Sequence, residues 1–409
     1  MKVGFFTFLK PIIPFDWDLF LTGKQGLSGT DGSVLRISHK LSIRNNGFDI
    51  TLFTDCHFPS NKKLNIVRAD TLSQAIIGAK RLNIDLLIFI HKPYEDLEAA
   101  LVLAAKLNLK ISAWLQNTPQ AELLELYQKN PALQFLICVS QNQADHFRHK
   151  SIFRKVVVLH NAIDLDFYRN KTVGKDLNQI VYVGAATENK GLQFLLAVWP
   201  SIFRDNPSAK LYIIGSAQLY SKNQKLGNHL LGSEDFEEKY VYPIYGKSDQ
   251  ALANFNIRVL GVLGPVEMNK FIKRSLLGVV NPSYNYNFSA ETFCVSAVEI
   301  QACQTAVIGG NVGGLRETVL NKRTGFLVNS QNDLREKINK LLKNPKKALD
   351  FGKNGEIYSK SFGINELILN WEEFLLNVEA DIHISQKPLK WLNSEKKVWV
   401  KEIIRMLKH

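Results

Sequence analysis

The sequence predicts an α/β fold made of two domains, each built on a parallel β-sheet. Short apolar runs alternate with amphipathic, helix-like segments along the chain, which is the pattern of repeated βαβ units. A polar stretch without periodicity, residues 168–179, interrupts this alternation near the middle of the chain, and the alternation then restarts. At 409 residues the chain is also longer than one ordinary hydrophobic core supports.

Each apolar run predicts one strand of a sheet that helices cover on both faces. In the first half the predicted strands are residues 2–8, 48–54, 85–90, 109–115, 135–140 and 156–160. In the second half they are residues 179–184, 209–215, 277–281 and 305–310. Helix candidates lie between them, the clearest at residues 33–45, 96–108 and 190–203.

These elements predict the domain boundaries. The first domain takes residues 1–168, a linker 169–179, the second domain 180–363, and C-terminal helices 364–409. Residues 216–256 are polar and predict an insertion whose function the sequence does not indicate. Ligands of open parallel sheets bind beyond the carboxyl ends of the strands, so two facing domains predict a site in the cleft between them.

The composition indicates a folded, water-soluble protein, with 45% hydrophobic and 22% charged residues. No apolar run approaches the roughly 18 residues of a membrane span, and the N-terminal run predicts a first strand rather than a signal peptide. Four widely spaced cysteines without a C-x-x-C motif indicate buried free thiols in a reducing cytoplasm. No histidine cluster accompanies them, so no metal site is predicted.

Positive charge is concentrated at the C-terminus. The 51 basic and 38 acidic side chains of the chain give a net charge of +13, and residues 382–409 contribute seven of the basic and two of the acidic groups. Residues 394–409 predict a basic amphipathic helix with Ser394 as N-cap. Two interpretations stay open: the helix packs on the protein, or it lies on an anionic membrane. No nucleic-acid-binding motif accompanies the charge, so nucleic acid is not a predicted partner.

The stretch SAETFCVSAVE, residues 289–299, places Glu291 and Glu299 among small and apolar side chains. If a helix begins near Ser289 or Ala290, the two glutamates are about 12 Å apart along its axis. That exceeds the roughly 5–9.5 Å between the carboxylates of a glycosidase pair. Such a helix can instead hold two ends of an elongated ligand, with the free amides of its first turn binding a phosphate between them.

A nucleotide-sugar has the required order of ribose, diphosphate and sugar. The residues alone leave a second interpretation open. In it Glu299 pairs with an internal cation, and Glu291 is a solvated acid that the helix dipole favours.

Residues 281–328, NPSYNYNFSAETFCVSAVEIQACQTAVIGGNVGGLRETVLNKRTGFLV, resemble the donor-binding segment of family 4 retaining glycosyltransferases of the GT-B fold. The matching positions are Pro282, Ser283, Glu291, Glu299, Gly313, Gly314, Glu317 and Gly325. Three further stretches resemble family segments in the family's order: LSGTDGSVLRISHKLSIRNNGFDITLF, VVVLHNAIDLDFY and IVYVGAATENKGLQFLLAVWPSI. The resemblance spans roughly residues 25–330.

The resemblance implies roles for some of these residues and for Lys190. By carry-over, Glu299 binds the ribose hydroxyls, Glu291 contacts the transferred sugar, and Lys190 neutralises the diphosphate. The amides of Glu291, Thr292 and Phe293 are expected at the phosphate. The other implied donor contacts are Gly29, in a loop that approaches the sugar or phosphate, and the backbone around Gly264 and Val266 at the base.

The resemblance also implies a function. It is the transfer of a sugar from a nucleotide-sugar donor to a hydroxyl of a glycan or lipid-linked acceptor, with retention and without a metal. The first domain is expected to bind the acceptor, the second the donor, and a C-terminal helix is expected to cross back to the first domain. The implied setting is bacterial polysaccharide or surface-glycan synthesis, in the cytoplasm or at the inner face of the membrane.

Several positions depart from the family pattern, and two of these departures concern the candidate site. Ala185 stands where an arginine usually follows the strand glycine, and the cations considered as replacements are Arg316, Lys270, Lys273 and Arg274. Gln116 and Asn117 stand where an acceptor-side histidine is often found, so His91, at the end of another predicted strand, is the candidate for that catalytic role.

Other functions remain open beside the glycosyltransferase. A catalytically weak nucleotide-sugar-binding or scaffold protein would show losses such as Ala185. A GT-B epimerase or phosphorylase would be distinguished by its product. A dinucleotide-dependent oxidoreductase is disfavoured, because no G-x-G-x-x-G follows the first strand.

Overall fold

A computed structural model describes residues 1–9, 15–44, 47–56, 64–92, 94–168, 173–219, 223–284 and 291–381. Several parts of the sequence-based predictions lie outside these ranges: residues 169–172 of the linker, residues 220–222 of the insertion, the helix start at Ser289 or Ala290, and residues 382–409, which include the basic segment 394–409. The described residues form two parallel sheets with helices packed against them, as the sequence predicts.

The first sheet contains seven strands. They are β1 (Lys2–Thr7), β2 (Asp49–Thr54), β3 (Asn65–Arg68), β4 (Leu86–Ile90), β5 (Lys110–Leu115), β6 (Leu133–Cys138) and β7 (Val156–Val158). Their order is β3-β2-β1-β4-β5-β6-β7, and all pairs are parallel. The chain builds outward from β1 in both directions, so a topological switch point lies between β1 and β4.

The second sheet contains six strands. They are β8 (Asp176–Val183), β9 (Lys210–Ile214), β10 (Ile257–Gly261), β11 (Ser275–Val280), β12 (Ala306–Gly310) and β13 (Gly325–Val328). Their order is β10-β9-β8-β11-β12-β13, again all parallel, with the switch point between β8 and β11. Strand β8 begins at Asp176, inside the stretch predicted as linker.

The strands form because their apolar runs are buried from both sides. All five residues of β4 and all six of β11 are buried, as expected of central strands in a sheet covered on both faces. Each of the ten predicted strands is present. The structure adds β3, β10 and β13, and each of these three lies at the edge of its sheet.

Helices cover both sheets. In the first half they are α1 (Trp17–Leu21), α2 (Gly29–Ile43), α3 (Leu72–Arg81), α4 (Leu97–Lys106), α5 (Ala121–Lys129) and α6 (Gln141–Asp145). In the second half they are α7 (Leu192–Asp205), α8 (Glu234–Tyr240), α9 (Tyr242–Tyr245), α10 (Pro265–Arg274), α11 (Val295–Ala302), α12 (Leu315–Thr318), α13 (Gln331–Lys343), α14 (Pro345–Ser359) and α15 (Ile364–Glu379).

The helix predicted to begin near Ser289 or Ala290 begins later, at Val295, and this prediction was wrong. Residues 291–294 are described and are not helical. Cys294, at the N-cap, has a φ of 73°, a left-handed conformation that a helix cannot propagate through. Glu291 therefore precedes the helix, whereas Glu299 lies in its second turn.

The last described helix, α15, crosses back and packs on the first sheet's domain, as predicted. Trp371 is fully buried, with its ring centroid 4.6 Å from that of Trp114 and 5.9 Å from that of Phe5. At the rim of the contact, Glu372 accepts hydrogen bonds from the guanidinium of Arg44 at 2.6 and 3.1 Å. The two sheets are thus tied together by α15 as well as by the linker.

Hydrogen bonds within the insertion at residues 216–256 stabilise its described part. The carboxylate of the fully buried Glu237 accepts hydrogen bonds from the backbone N–H groups of His229, Leu231 and Gly232. Its helix α8 also reaches the loop before α7, where Glu188 accepts from Lys239 Nζ at 2.9 Å and from Tyr240 Oη at 2.8 Å. The insertion therefore contacts the loop that carries Lys190.

All four cysteines are free and buried, as the sequence predicts. Burial raises the pKa of the Cys138, Cys294 and Cys303 thiols.

Among the described helices, none is long and apolar enough to cross a membrane.

Candidate active site

A cavity of about 700 Å³ lies between the carboxyl ends of the two sheets. Its first-domain wall is the start of α2 and the loop after β5, including Gly29, Arg36 and Gln116. Its second-domain wall contains Lys190 and Glu291, from the loops after β8 and β11, and Glu299 of α11. The three residues to which the sequence gave the main donor contacts therefore converge on one cleft.

Lys190 and Glu291 form an ion pair in the cavity wall. Lys190 Nζ donates to Glu291 Oε2 at 2.9 Å, and Asn281 Nδ2 donates to the same oxygen at 2.8 Å. The Glu291 side chain is only 8% exposed, and the Lys190 side chain 29%. Burial opposes ionisation of Glu291, but Lys190, Asn281 and the Cys294 N–H outweigh it and hold its pKa below the ordinary value.

A glycine turn holds the Glu291 loop in place. Gly314 N–H donates to the Glu291 carbonyl oxygen at 2.7 Å. A Cβ at Gly313, whose φ is 51°, would lie 2.0 Å from the same oxygen. Only glycine permits this backbone approach, which explains why a Gly-Gly turn follows β12.

Glu299 faces the cavity from α11 and has different partners. Tyr168 Oη donates to Glu299 Oε1 at 2.6 Å, which joins the end of the first domain to the donor-side carboxylate. Burial raises the pKa of Glu299, while the Tyr168 hydrogen bond and the positive charge of Arg36 act in the opposite direction. Neither Tyr168 nor Arg36 was selected from the sequence, because each lies outside the motif that contains its partner.

The predicted anion site at Glu291, Thr292 and Phe293 is not a helix N-terminus. Thr292 Oγ1 donates to the Gln116 carbonyl oxygen at 2.7 Å, so it fixes the first domain against the second. Phe293 is buried, and its ring lies 5.5–5.7 Å from those of His160 and Phe362. The first turn of α11 reaches the cavity four residues later than predicted, at Val295 and Ser296.

Gly29 lies where the sequence placed it, in the cavity wall, although it is the first residue of α2 rather than a loop residue. A Cβ there would lie 3.1 Å from the Val295 side chain, so the glycine lets α2 approach the start of α11. Its neighbour Ser28 is the N-cap of α2 and accepts from Asp31 N–H at 3.1 Å.

Gly264 and Val266, the predicted backbone contacts of the base, are not themselves among the residues that line the cavity. A Cβ at Gly264 would lie 2.4 Å from the Lys24 carbonyl oxygen, and Val266 N–H donates to the Gly23 carbonyl oxygen at 2.9 Å. Both residues therefore contact the first domain. The cavity wall in this segment is formed by their neighbours Val262, Leu263, Pro265 and Met268.

Ala185 lines the cavity, and none of the four cations considered as its replacement is among the lining residues. Arg316 donates to Asn311, and Lys270 Nζ is 2.5 Å from Glu267. The lining contains Arg36 instead, whose guanidinium carbon lies 5.3 Å from the Phe20 ring centroid. The first domain thus brings a cation to the cavity that no motif indicated.

His91 is not among the residues that line the cavity, and the prediction of a substrate contact is not supported. Its side chain is 6% exposed, and its Nδ1 forms a 2.8 Å hydrogen bond with Tyr127 Oη inside the first domain. Burial lowers its pKa to about 4, so the imidazole is neutral at physiological pH. The end of β4 directs His91 into the core rather than to the cleft.

A smaller cavity of about 340 Å³ opens on the other side of the Glu291 loop. The first domain contributes apolar residues, including Leu124 and Phe147, and the polar side chains His146 and Lys150. Glu291 and Thr292 line both cavities. A group bound in the smaller cavity would therefore lie next to a ligand bound in the larger one.

Glu317, matched by the resemblance but given no role, connects the domains. Its carboxylate accepts from the backbone N–H groups of Gln141 (2.9 Å) and Asn142 at the start of α6, and it lies 3.4 Å from His160 Nε2. Burial opposes ionisation of Glu317, but His160 and the two N–H groups outweigh it and lower its pKa.

The described residues contain no group of three or more side chains suited to hold a metal ion.

The match to a known protein family falls mainly on the second domain of the chain. Residues 166–358, just under half of the chain, match the family described as glycosyl transferases group 1. An uncharacterized glycosyltransferase of Methanocaldococcus jannaschii is 29% identical over 248 residues, which is 59% of this chain and 57% of that protein. The chain thus spans little more than half the length of this curated relative.

Two solved structures share the fold. Sucrose-phosphate synthase from Thermosynechococcus elongatus has a TM-score of 0.68 at 16% identity, covering 93% of this chain and 99% of the other. Anabaena HepE in complex with UDP-glucose has a TM-score of 0.64 at 15% identity, covering 92% and 100%. With two facing parallel sheets and the returning C-terminal helix, the fold is GT-B.

Proposed function

We propose that the chain transfers a sugar from a nucleotide-diphosphate sugar to an acceptor hydroxyl, on the support of the match of residues 166–358 to glycosyl transferases group 1. The observation that carries the proposal is the convergence of Lys190, Glu291 and Glu299 on one interdomain cavity. We propose family 4 chemistry, in which the new glycosidic bond keeps the anomeric configuration of the donor.

The proposed chemistry depends on stabilising the leaving diphosphate. Lys190 supplies a fixed positive charge in the cavity wall, and the first turn of α11 presents Val295 and Ser296 beside it. Charges and dipoles that are already oriented toward developing negative charge stabilise a transition state strongly. The proposed reaction therefore assigns the cationic role to Lys190 and needs no metal.

The two glutamates bind opposite ends of the donor in this proposal. Glu291 accepts hydrogen bonds from hydroxyls of the transferred sugar, and its ion pair with Lys190 keeps it ionised for that purpose. Glu299 accepts from the vicinal hydroxyls of the ribose. We propose uridine as the base, on the support of the fold relative that holds UDP-glucose.

The acceptor is proposed to enter through the smaller cavity. Its apolar residues Leu124 and Phe147, with Lys150 nearby, suit an amphiphilic acceptor such as a lipid-linked glycan. This agrees with a role in bacterial polysaccharide or surface-glycan synthesis at the cytoplasmic face of the membrane. Residues 394–409 are the proposed membrane contact, and co-sedimentation with anionic vesicles of the full chain and of a chain lacking them tests it.

Calorimetric titration with UDP and GDP, followed by a panel of nucleotide-sugars, tests the donor site. We expect micromolar binding of one nucleotide to the wild-type protein and its loss in Glu299→Ala, because the ribose contacts are removed. Turnover of the matching nucleotide-sugar then separates an enzyme from a scaffold.

Ala185 favours a second candidate function, a nucleotide-sugar-binding scaffold with little turnover, because a small side chain lines the cavity where a phosphate-binding cation is usual. Binding without turnover would select this second function, whereas folded wild-type protein that binds no nucleotide would indicate a scaffold that has lost its donor site.

A further inference from the structure

Tyr168 occupies the point at which the chain leaves the first domain. Its side chain is 2% exposed, and its backbone N–H donates to the Leu165 carbonyl oxygen at 3.0 Å. The preceding residue is held by the second domain, because Asn269 Nδ2 donates to the Phe167 carbonyl oxygen at 2.7 Å. The position of the Tyr168 ring is therefore fixed from both domains.

The hydroxyl of Tyr168 is the donor in its hydrogen bond with Glu299. An ionised carboxylate can only accept hydrogen bonds, so in the 2.6 Å contact the phenol donates to Glu299 Oε1. Burial, followed by the nearby charge of Glu299, raises the pKa of Tyr168 well above its usual value, which keeps the proton on the phenol. Tyr168 is not itself among the residues that line the cavity, whereas Glu299 is.

We propose that Tyr168 is a positioning residue of the donor site, whose hydroxyl orients Glu299 so that its remaining acceptor capacity faces a vicinal diol in the cavity. This inference rests on the proposed function, in which that diol is the ribose of the donor nucleotide. The nucleotide site is then completed by a residue of the first domain, at the start of the linker.

The hydrogen bond fixes one carboxylate oxygen and leaves the rest of the group for the ligand. A carboxylate offers about four lone-pair positions, so one donor leaves room for both hydroxyls of a ribose. Without Tyr168, the carboxylate would have to be ordered at the moment of binding, and it would lose one of the contacts that favour its ionised form.

Replacing Tyr168 by phenylalanine removes the hydroxyl and keeps the buried ring. The ligands are UDP or GDP, whichever binds the wild-type protein, and its 2′,3′-dideoxy analogue, which has no diol. We expect Tyr168→Phe to weaken the ribonucleotide about tenfold, the usual effect of one hydrogen bond to a charged group, and to leave the analogue unchanged. We also expect ribonucleotide binding by the variant to decline at a higher pH than wild type on acidification, since Glu299 then protonates more easily.

Tyr245→Phe is the matched control. Tyr245 is also buried, and its hydroxyl donates to the Leu196 carbonyl oxygen at 2.6 Å, away from the cavity lining. If Tyr168→Phe weakens the ribonucleotide and its dideoxy analogue equally, the role of Tyr168 is purely structural and the inference is overturned. The same conclusion follows if Tyr245→Phe weakens the ribonucleotide as much as Tyr168→Phe does.

A second variant separates positioning from folding. In a Glu299→Gln background the added Tyr168→Phe substitution should change ribonucleotide affinity by less than twofold, because the two residues act as one unit. Full additivity would contradict the inference. If wild-type protein binds neither nucleotide, the proposed function fails and the inference fails with it; if wild type binds and Tyr168→Phe matches it, only the inference fails.

Discussion

At the scale of single residues, Lys190 is the group on which the proposed donor chemistry depends most. In Lys190→Ala we expect the affinity for the nucleoside diphosphate to fall tenfold or more, while the affinity for the nucleoside stays within about twofold. The reason is that, in the proposed donor site, Lys190 binds the phosphates and contacts neither the ribose nor the base. Titration calorimetry measures both affinities.

Lys210→Ala is the control for that experiment. Lys210 also forms an ion pair, with Asp176 at 2.8 Å, but its side chain is 45% exposed and it does not line the cavity. If the Lys190 variant loses affinity for nucleoside and diphosphate alike, the assignment of its ammonium to the phosphates is wrong.

His91 makes the stability of the first domain depend on pH. Its pKa is about 4 in the folded protein against 6.5 in the unfolded chain, so between these values the unfolded chain binds the extra proton. Stability should therefore be unaffected above pH 6.5 and decrease as the pH falls toward 4, by up to about 3 kcal/mol.

In His91→Gln this acid sensitivity should be reduced, which urea unfolding at a series of pH values measures. His149→Gln, at an exposed position of the same domain, provides the comparison. Identical pH profiles for wild type and His91→Gln would show that His91 does not stay neutral in the fold.

At the scale of elements, α6 depends on a carboxylate from the other domain. Glu317 accepts the N–H groups of Gln141 and Asn142, while the Gln143 N–H is accepted by the helix's own N-cap, Ser140, at 3.0 Å. In Glu317→Ala two partly buried donors lose their acceptor, and we expect a loss of about 1–3 kcal/mol in the free energy of unfolding.

Glu317→Gln, which keeps one acceptor oxygen, should lie between wild type and Glu317→Ala in urea unfolding. Glu336→Ala, on the exposed side of α13, should change stability by less than about 0.5 kcal/mol. Equal stability of the Glu317 and Glu336 variants would mean that the interdomain contact contributes nothing.

The elements also show what the sequence could predict. All ten strands placed by apolar runs are present, because a central strand in a covered parallel sheet is apolar on both faces. The three that were missed lie at sheet edges. Strand β3 is only four residues long and β10 buries only Ile257, so neither has a strong apolar pattern.

The start of α11 was misplaced for a different reason. The apolar pattern continues through residues 293–300, but the left-handed backbone at Cys294 stops the helix before Val295. Such a conformation is uncommon outside glycine, and an apolar pattern does not indicate it.

At the scale of the whole molecule, α15 joins the two domains through buried aromatic rings. Trp371 is fully buried between the rings of Phe5 in β1 and Trp114 in β5. The ring centroid of Phe374 lies 5.2 Å from that of Phe135 in β6. In Trp371→Ala we expect a loss of about 3–5 kcal/mol, because a large cavity is left in a packed core.

Thermal and urea unfolding measure that loss. Leu376→Ala, on the same helix but 52% exposed, should cost little by comparison. If the two variants unfold alike, the aromatic contact is not what holds α15 to the first domain.

The cleft itself was predicted only in part. Lys190, Glu291 and Glu299 were found because they lie within local motifs of the second domain. Their partners Tyr168 and Arg36 come from distant parts of the chain, and only the packing of the domains brings them to the same carboxylate. A single sequence contains no local pattern for such contacts.

The burial of every cysteine makes this chain suitable for site-directed labelling. A thiol reagent reacts with exposed thiolates, and here all four thiols are buried. Cysteines placed at exposed positions such as Ser151 in the first domain and Glu336 in the second can therefore carry a fluorophore pair without removal of any native thiol. Energy transfer between the dyes would then report the approach of the two domains while a nucleotide is added.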